Sequence, residues 1–131
     1  MVTVDTTVWI DYLAGVFNEH TSWLDKEMAR QRLGLTDLIL CEVLQGVRQD
    51  STFVRIRRDL LNFEVFPTGG TDLAIAAAQN YRMLRSQGLT VRKTIDCLIA
   101  SFCLRSGFWL LHRDHDFDAF EDHLHLRVLH P

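Results

Sequence analysis

The stretch that decides the fold is VTVDTTVWIDYL, residues 2–13, in which a short run of strand-forming residues meets an acid and then a helical pattern. The valines favour a strand, and either of the two adjacent threonines can cap a helix that begins directly after it. The acid between them, Asp5, then lies at the carboxyl end of a buried strand, where an unused charge is costly. Asp5 is therefore either a structural cap or part of a functional site, and the rest of the sequence must decide.

The length and composition predict one ordinary globular domain spanning residues 1–131. Apolar residues make up 47% of the chain and charged residues 24%, and no apolar run reaches the roughly 18 residues that cross a bilayer. The first residues contain no basic region followed by an apolar stretch, so we expect no signal peptide and a cytoplasmic location. The three cysteines, Cys41, Cys97 and Cys103, form no CxxC pair and lie in apolar helical patterns, which predicts buried, reduced thiols.

The net charge excludes few partners. A formal charge of −3 argues weakly against nucleic acid, which usually requires a basic face. If five acids formed one metal-binding cluster, however, the remainder of the chain would carry +2. Basic residues are also grouped, at Arg55, Arg57 and Arg58 and again at Arg92 and Lys93. An RNA partner is therefore compatible with the composition.

Short β-like segments alternate with longer helical patterns along the chain, without repeats or linkers. The segment that begins at Thr94 is apolar nearly all round, which predicts a central, buried helix. The alternation predicts an α/β fold, a three-layer α/β/α sandwich around a mainly parallel sheet of four or five strands. In such sheets, ligands bind outside the carboxyl ends of the strands. Strands are predicted at residues 2–5, 33–35, 64–66, 108–111 and 126–129.

Five acidic residues occupy positions that a structural role explains poorly. Asp5 ends the first predicted strand, Glu42 interrupts an apolar helix, and Asp96 lies in the first turn of the buried helix. Asp114 closely follows the predicted strand FWLL, and Asp116 comes two residues later. Four of them have structural alternatives, as a cap, as a first-turn acid or as turn residues. Glu42 is the hardest to explain in this way, because an ionised carboxylate in an apolar helix needs a partner.

Considered together, these acids predict a metal site. Some follow strands and others lie near the beginnings of helices, and both kinds of position open on the same edge of a parallel sheet. Several carboxylates at close range raise one another's pKa values, and a hard divalent cation relieves the repulsion. Mg²⁺, or alternatively Mn²⁺, suits an all-oxygen site that also binds phosphate. The chemistry that such a site favours is metal-dependent hydrolysis of a phosphodiester.

The sequence resembles the PIN-domain ribonucleases, and among them the VapC toxins of bacterial toxin–antitoxin pairs. The resemblance extends over essentially the whole chain and rests on four blocks in matching order and spacing: VDTTVWIDYL, DLILCEVLQG, TIDCLIASFCL and LLHRDHDFD. It implies a single PIN domain, a Mg²⁺-dependent endoribonuclease activity toward cellular RNA, and a cognate VapB-type antitoxin. It is also consistent with a homodimer or a toxin–antitoxin hetero-oligomer.

The matching blocks assign roles to the acids. Asp5, Glu42, Asp96 and Asp114 match the acidic quartet of the family, which implies that they hold the metal. Asp116 matches an additional acid of many members and is expected to act in catalysis with the quartet. The one visible variation lies between the last two acids, where a histidine occupies a position at which a basic residue is common.

The residues around the acids give weaker signals. Thr6 matches the Ser/Thr that commonly follows the first acid and is expected to orient that acid or a water at the metal. Arg92 and Lys93, just before Asp96, are the preferred phosphate-contacting residues, whereas the three arginines at 55–58 are predicted to form a solvated helix face. Five of the six histidines lie near the end of the sequence, but their spacing fits no usual zinc pattern, so surface histidines are predicted.

Two alternative functions remain open from the sequence. The first is a phosphatase that uses Asp5 as a covalent nucleophile, but the usual form of that site has a second acid two residues later, where this chain has Thr7. The second is a binding module that has the fold without catalysis. The complete set of acids opposes this reading, because a decayed site is expected to have lost at least one member.

Overall fold

The computed structural model describes residues 1–131, which form four strands and seven α-helices. The strands are β1 (Val2–Val4), β2 (Leu33–Thr36), β3 (Glu64–Phe66) and β4 (Trp109–Leu111). The helices are α1 (Thr6–Leu13), α2 (Glu19–Glu27), α3 (Asp37–Gln45), α4 (Asp50–Leu60), α5 (Thr71–Ser86), α6 (Thr94–Ser106) and α7 (Asp118–Leu124). None of these helices combines the length and the apolar character needed to traverse a bilayer.

The four strands form one parallel sheet in the order β3-β2-β1-β4, which confirms the predicted fold class. The connections from β1 to β3 step in one direction, and the β3–β4 connection crosses back past β1. Because such crossovers are right-handed, α1 to α4 pack on one face of the sheet and α5 and α6 on the other. All four carboxyl ends therefore lie at one edge, and α1, α3 and α6 begin there.

The predicted fifth strand at residues 126–129 is reduced to a single bridge. Val128 pairs in parallel with Leu110, and only two backbone hydrogen bonds join this segment to β4: Leu110 N donates to Arg127 O and Leu129 N donates to Leu110 O. The alternating apolar residues of this segment, Leu126 and Val128, are buried, as a strand pattern predicts. Burial of these two side chains did not require a continuous ladder.

Helix α6 is central, as its sequence predicted. Its buried residues occupy several faces and include Cys97, Ile99, Ala100 and Cys103. The prediction of three buried thiols is wrong for Cys41, which is exposed. The buried residues of α3 are Ile39 and Val43. Cys41 lies two positions from each of them and therefore points to the opposite side of the helix.

Gly34 in β2 is required by a close approach of its neighbours. A Cβ atom at this position would lie 2.7 Å from the ring of Phe66 and 2.8 Å from the backbone oxygen of Glu64 in the paired strand β3. We expect Gly34→Ala to lower the free energy of unfolding by about 1–3 kcal/mol through overpacking, measured by urea denaturation. Gly69→Ala is the matched control, because a Cβ there meets nothing within 4 Å. Equal stabilities of the two variants would contradict this interpretation.

Candidate active site

Asp5 links the central strand to helix α1. Its backbone N–H donates to Leu111 O of β4 (2.9 Å), and its Oδ2 accepts hydrogen bonds from Thr7 N (3.1 Å) and Thr7 Oγ1 (2.7 Å). The acid itself therefore caps α1, and the predicted threonine cap is wrong. Burial raises the pKa of Asp5 to about 6, the bonds from Thr7 oppose this shift, and the charge of Glu42 adds to it. The structural role of Asp5 as a cap leaves a buried carboxylate beside other acids.

Glu42 enters the same edge from α3. Its side chain is half-buried, and its Oε1 accepts a hydrogen bond of 2.8 Å from the hydroxyl of Thr6. The expected contact between Thr6 and Asp5 is made instead by Thr7. The two threonines thus fix one acid each, which orients the carboxylates from β1 and α3 toward the same edge.

Asp96, Asp114 and Asp116 form the tightest group, the carboxylate trio. One oxygen from each lies within 4.8 Å of the other two. Asp96, in the first turn of α6, is buried, and its Oδ2 has no hydrogen-bond partner. Burial raises the pKa of Asp96 to about 7, the charges of Asp114, Asp5 and Glu42 add to this, and Lys93 opposes it.

The loop after β4 is held by one side chain from α1 and by two side chains of its own. Thr7 Oγ1 accepts from Arg113 N (3.1 Å), His112 Nδ1 accepts from Asp114 N (3.0 Å), and Asp114 Oδ1 accepts from Asp116 N (2.9 Å). Sequence reasoning missed the contributions of Thr7 and His112. The prediction of a surface histidine is wrong for His112, which is only 7% exposed because its ring packs against Phe117.

The predicted RNA-contacting residues lie at the rim of the acidic edge. Arg92 is exposed, and its Nη2 lies 2.9 Å from Asp116 Oδ1, so that its pKa is raised by this carboxylate. Lys93 is exposed at the N-terminus of α6, next to Asp96. The three arginines of α4 are all exposed, as predicted, and one of them, Arg55, also lines a groove between α1, α3 and α4.

The donor set fits a hard divalent cation. The side chains that can offer ligand atoms here are the carboxylates of the five acids, which is the ligand type that Mg²⁺ and Mn²⁺ prefer. The buried, unpartnered Oδ2 of Asp96 needs a donor or a cation, since a buried acceptor without either is costly. Burial, with a smaller contribution from the neighbouring acids, raises the pKa values of Asp5 and Asp96, and a bound cation would offset both effects.

Comparison with known sequences shows the family of this chain. The chain matches the PIN domain family over residues 2–122. It belongs to the PIN-domain family. This PIN domain is 37% identical to Ribonuclease VapC11 of Mycobacterium tuberculosis over 126 residues, which cover 91% of this chain and 90% of that protein.

Solved structures share the fold of this PIN domain. The VapBC2 complex of Rickettsia felis, bound to a DNA fragment from its promoter, superposes with a TM-score of 0.78 at 14% identity and covers 98% of both chains. FitAcB from Neisseria gonorrhoeae gives a TM-score of 0.78 at 20% identity, covering 100% of this chain and 98% of that one. At these identities the likeness establishes the fold, and the function is argued from the site.

Proposed function

We propose that this PIN domain is a Mg²⁺-dependent endoribonuclease and the toxin of a VapBC-type toxin–antitoxin pair. The observation that carries the proposal is the buried, unpartnered Oδ2 of Asp96 within a trio of carboxylates. Burying an ionised carboxylate without a partner costs free energy, and a bound cation would remove that cost. The 37% identity to a protein named Ribonuclease VapC11 supports RNA as the substrate.

Each acid has a proposed role. Asp5, Glu42, Asp96 and Asp114 hold the divalent cation, with Mn²⁺ as an alternative to Mg²⁺, and Asp116 completes the catalytic set. A divalent cation at such a site stabilises charge on the scissile phosphate and lowers the pKa of water.

The other residues keep this set in place and bind the substrate. Thr7 orients Asp5 and Thr6 orients Glu42 through the hydrogen bonds described above. Arg92 and Lys93 contact the RNA backbone, and Arg92 exchanges its bond with Asp116 for a phosphate when RNA arrives. The side chains of Arg92 and Lys93 lie beside the acids that hold the metal, so a phosphate bound by these two side chains is near the reacting site.

The alternatives fit the geometry less well. A phosphatase with Asp5 as the nucleophile needs a free carboxylate and a second acid two residues on, but Oδ2 of Asp5 accepts two hydrogen bonds from Thr7 at that position. A binding module without catalysis has no need for five acids at one edge, two of which have pKa values raised by burial.

The proposed activity is tested by metal depletion. Purified protein is expected to cleave RNA with Mg²⁺ or Mn²⁺ and to stop when EDTA is added, and excess metal is expected to restore cleavage. An Asp96→Asn preparation purified in parallel identifies any contaminating nuclease. Undiminished cleavage in EDTA, with no cleavage by the parallel preparation, would contradict the metal-dependent mechanism.

The partner of the toxin is an antitoxin, and we propose its docking surface. Helices α1, α3 and α4 border an apolar groove of about 260 Å³ whose lining includes Ile10, Leu13, Val43, Val47 and Ile56. An amphipathic antitoxin helix fits such a groove with its apolar face, and the chain next to that helix can follow α1 and α3 toward the edge where they begin, so that a basic side chain reaches the acids. We propose that this complex, or a toxin homodimer, is the assembled state in the cytoplasm.

The groove predicts a selective loss of antitoxin binding. Ile10 is 50% exposed at the groove. A charged side chain at this position removes an apolar contact with the antitoxin and leaves the core of the toxin undisturbed. We expect Ile10→Asp to weaken antitoxin binding at least about tenfold, measured with the product of the adjacent reading frame by titration calorimetry. Ile75→Asp is the matched control, because Ile75 is 53% exposed on α5, outside the groove. Equal affinities of the two variants would place the antitoxin elsewhere.

Neutralising an acid of the toxin is also expected to weaken the binding of the antitoxin. If a basic antitoxin side chain reaches the acidic edge, Asp96→Asn removes part of its attraction, and the affinity falls relative to wild type. A complex whose affinity is unchanged by every acid substitution would show that inhibition occurs at another surface.

A further inference from the structure

The histidine that follows β4 is placed to control the geometry of the acids. We propose that His112 is a positioning residue, whose Nδ1 holds the backbone amide of Asp114 and thereby fixes the carboxylate trio. This inference rests on the proposed function, since Asp96 and Asp114 of the trio are among the acids that we expect to bind the metal. The role is distinct from ligation, because His112 acts through the main chain of Asp114 and not on the metal itself.

The hydrogen bond defines the protonation pattern of the ring. The N–H of Asp114 donates to His112 Nδ1 over 3.0 Å, and a ring nitrogen that accepts an amide proton carries no proton of its own. The proton of the neutral imidazole therefore lies on Nε2. Nε2 is buried and has no hydrogen-bond partner.

An unsatisfied donor makes a purely structural histidine a poor choice. Buried donors are nearly always paired, and an apolar side chain of similar size would fill the space beside Phe117 without this cost. The ring is useful at this position for its other nitrogen, which is the acceptor for Asp114. The acceptor Nδ1 is therefore the property of His112 that an apolar side chain cannot supply.

The contact restrains a loop that carries two of the three clustered acids. The amide of Asp114 is bound to His112 Nδ1, the amide of Arg113 to Thr7 Oγ1, and the amide of Asp116 to Asp114 Oδ1. Loss of the bond between His112 Nδ1 and the Asp114 amide leaves that amide without a partner and frees the loop to rotate. Both Asp114 and Asp116 then move relative to Asp96, whose position is set by helix α6.

Two substitutions separate the acceptor from the shape of the ring. His112→Leu keeps an apolar side chain against Phe117 but has no acceptor, whereas His112→Asn retains an acceptor at the same distance from the backbone. We expect His112→Leu to weaken Mn²⁺ binding about tenfold, as the loss of residues that orient metal ligands commonly does. We expect His112→Asn to bind within about threefold of wild type. His123→Leu, at an exposed position on α7, is the control and should bind as wild type does.

The readouts are Mn²⁺ affinity by titration calorimetry and hydrogen exchange of the Asp114 amide by NMR, both without RNA. Faster exchange and weaker binding in His112→Leu, both restored in His112→Asn, are expected. Wild-type affinity in His112→Leu, or equal losses in the two variants, would overturn the proposal. If His112→Leu does not fold, imidazole ¹⁵N NMR of wild type decides, because a proton on Nδ1 also overturns it. Wild-type protein that binds no Mn²⁺ contradicts the proposed function, and leaves the amide test of His112 valid.

Discussion

Asp96→Asn is expected to abolish RNA cleavage, with a loss of at least about 1,000-fold, while leaving the fold intact. The change keeps the size of the side chain and removes one charge from the carboxylate trio, where Asp96 lies within 4.8 Å of Asp114 and Asp116. Cleavage of a fluorescent RNA is the measurement, and toxicity on expression should disappear in the same variant. Activity within tenfold of wild type would remove Asp96 from the site.

The same variant is expected to be more stable than wild type when no metal is present. Removing a buried, repelled charge raises the free energy of unfolding by about 1–2 kcal/mol, or roughly 3–8 °C in Tm. Added Mg²⁺ then stabilises the variant less than wild type, because stabilisation by a ligand follows its affinity for the native state. A first-turn acid with an ordinary role gives the opposite sign, since loss of its charge weakens the helix N-terminus.

A second first-turn acid provides the control. Asp72 occupies the first turn of α5 and is exposed, outside the acidic edge. Asp72→Asn is expected to lower Tm slightly and to leave both Mg²⁺ stabilisation and cleavage unchanged. Parallel behaviour of Asp72→Asn and Asp96→Asn would contradict the account, because it would reduce Asp96 to an ordinary helix acid.

The metal-free protein is expected to lose stability as the pH rises from about 4 to about 7. The pKa values of Asp5 and Asp96 are raised to about 6 and about 7 in the folded protein, mainly by burial. Between pH 4 and 7 the native state therefore binds more protons than the unfolded state, and stability falls with pH. The two groups together cost about 2–4 kcal/mol at neutral pH, after a discount for solvent screening at Asp96.

Other carboxylates also titrate in this range, so the informative quantity is a difference. The gap in Tm between Asp96→Asn and wild type, both in EDTA, should be small at pH 4 and widen up to about pH 7. Saturating Mg²⁺ should flatten the profile of wild type above pH 5, because the bound cation favours the ionised acids. A gap that stays constant across this range would show that Asp96 ionises normally in the folded protein.

The sequence predicted the fold where local patterns and general topology rules agree. The strand at Val2–Val4, the parallel sheet and the central helix α6 follow from apolar periodicity and from the alternation of strands and helices along the chain, whereas the order of the strands was not predicted. The assignment of Cys41 to the core failed because α3 is short and apolar on more than one side, so periodicity does not identify its buried face.

The sequence also indicated which acids lie at one edge, but it did not indicate which side chains hold these acids in place. Thr7 contacts the amide of Arg113 across 106 positions of the chain, a pairing that no local pattern encodes. The bond between His112 and Asp114 is local, yet a histidine among several others near the end of the chain has no signal that separates it from the exposed ones. Thr6 was assigned to the adjacent acid, whereas tertiary packing places it against Glu42.

The central claim is that the acidic edge binds a divalent cation which RNA cleavage requires, and Mn²⁺ binding followed by electron paramagnetic resonance tests it most directly. Free Mn²⁺ gives a strong signal that weakens on binding, so a titration of metal-free protein reports affinity without any RNA. We expect saturable binding by wild type, and binding weakened at least about tenfold in Asp96→Asn but unchanged in Asp72→Asn. Equal binding by all three proteins, or no saturable binding by wild type, would contradict it.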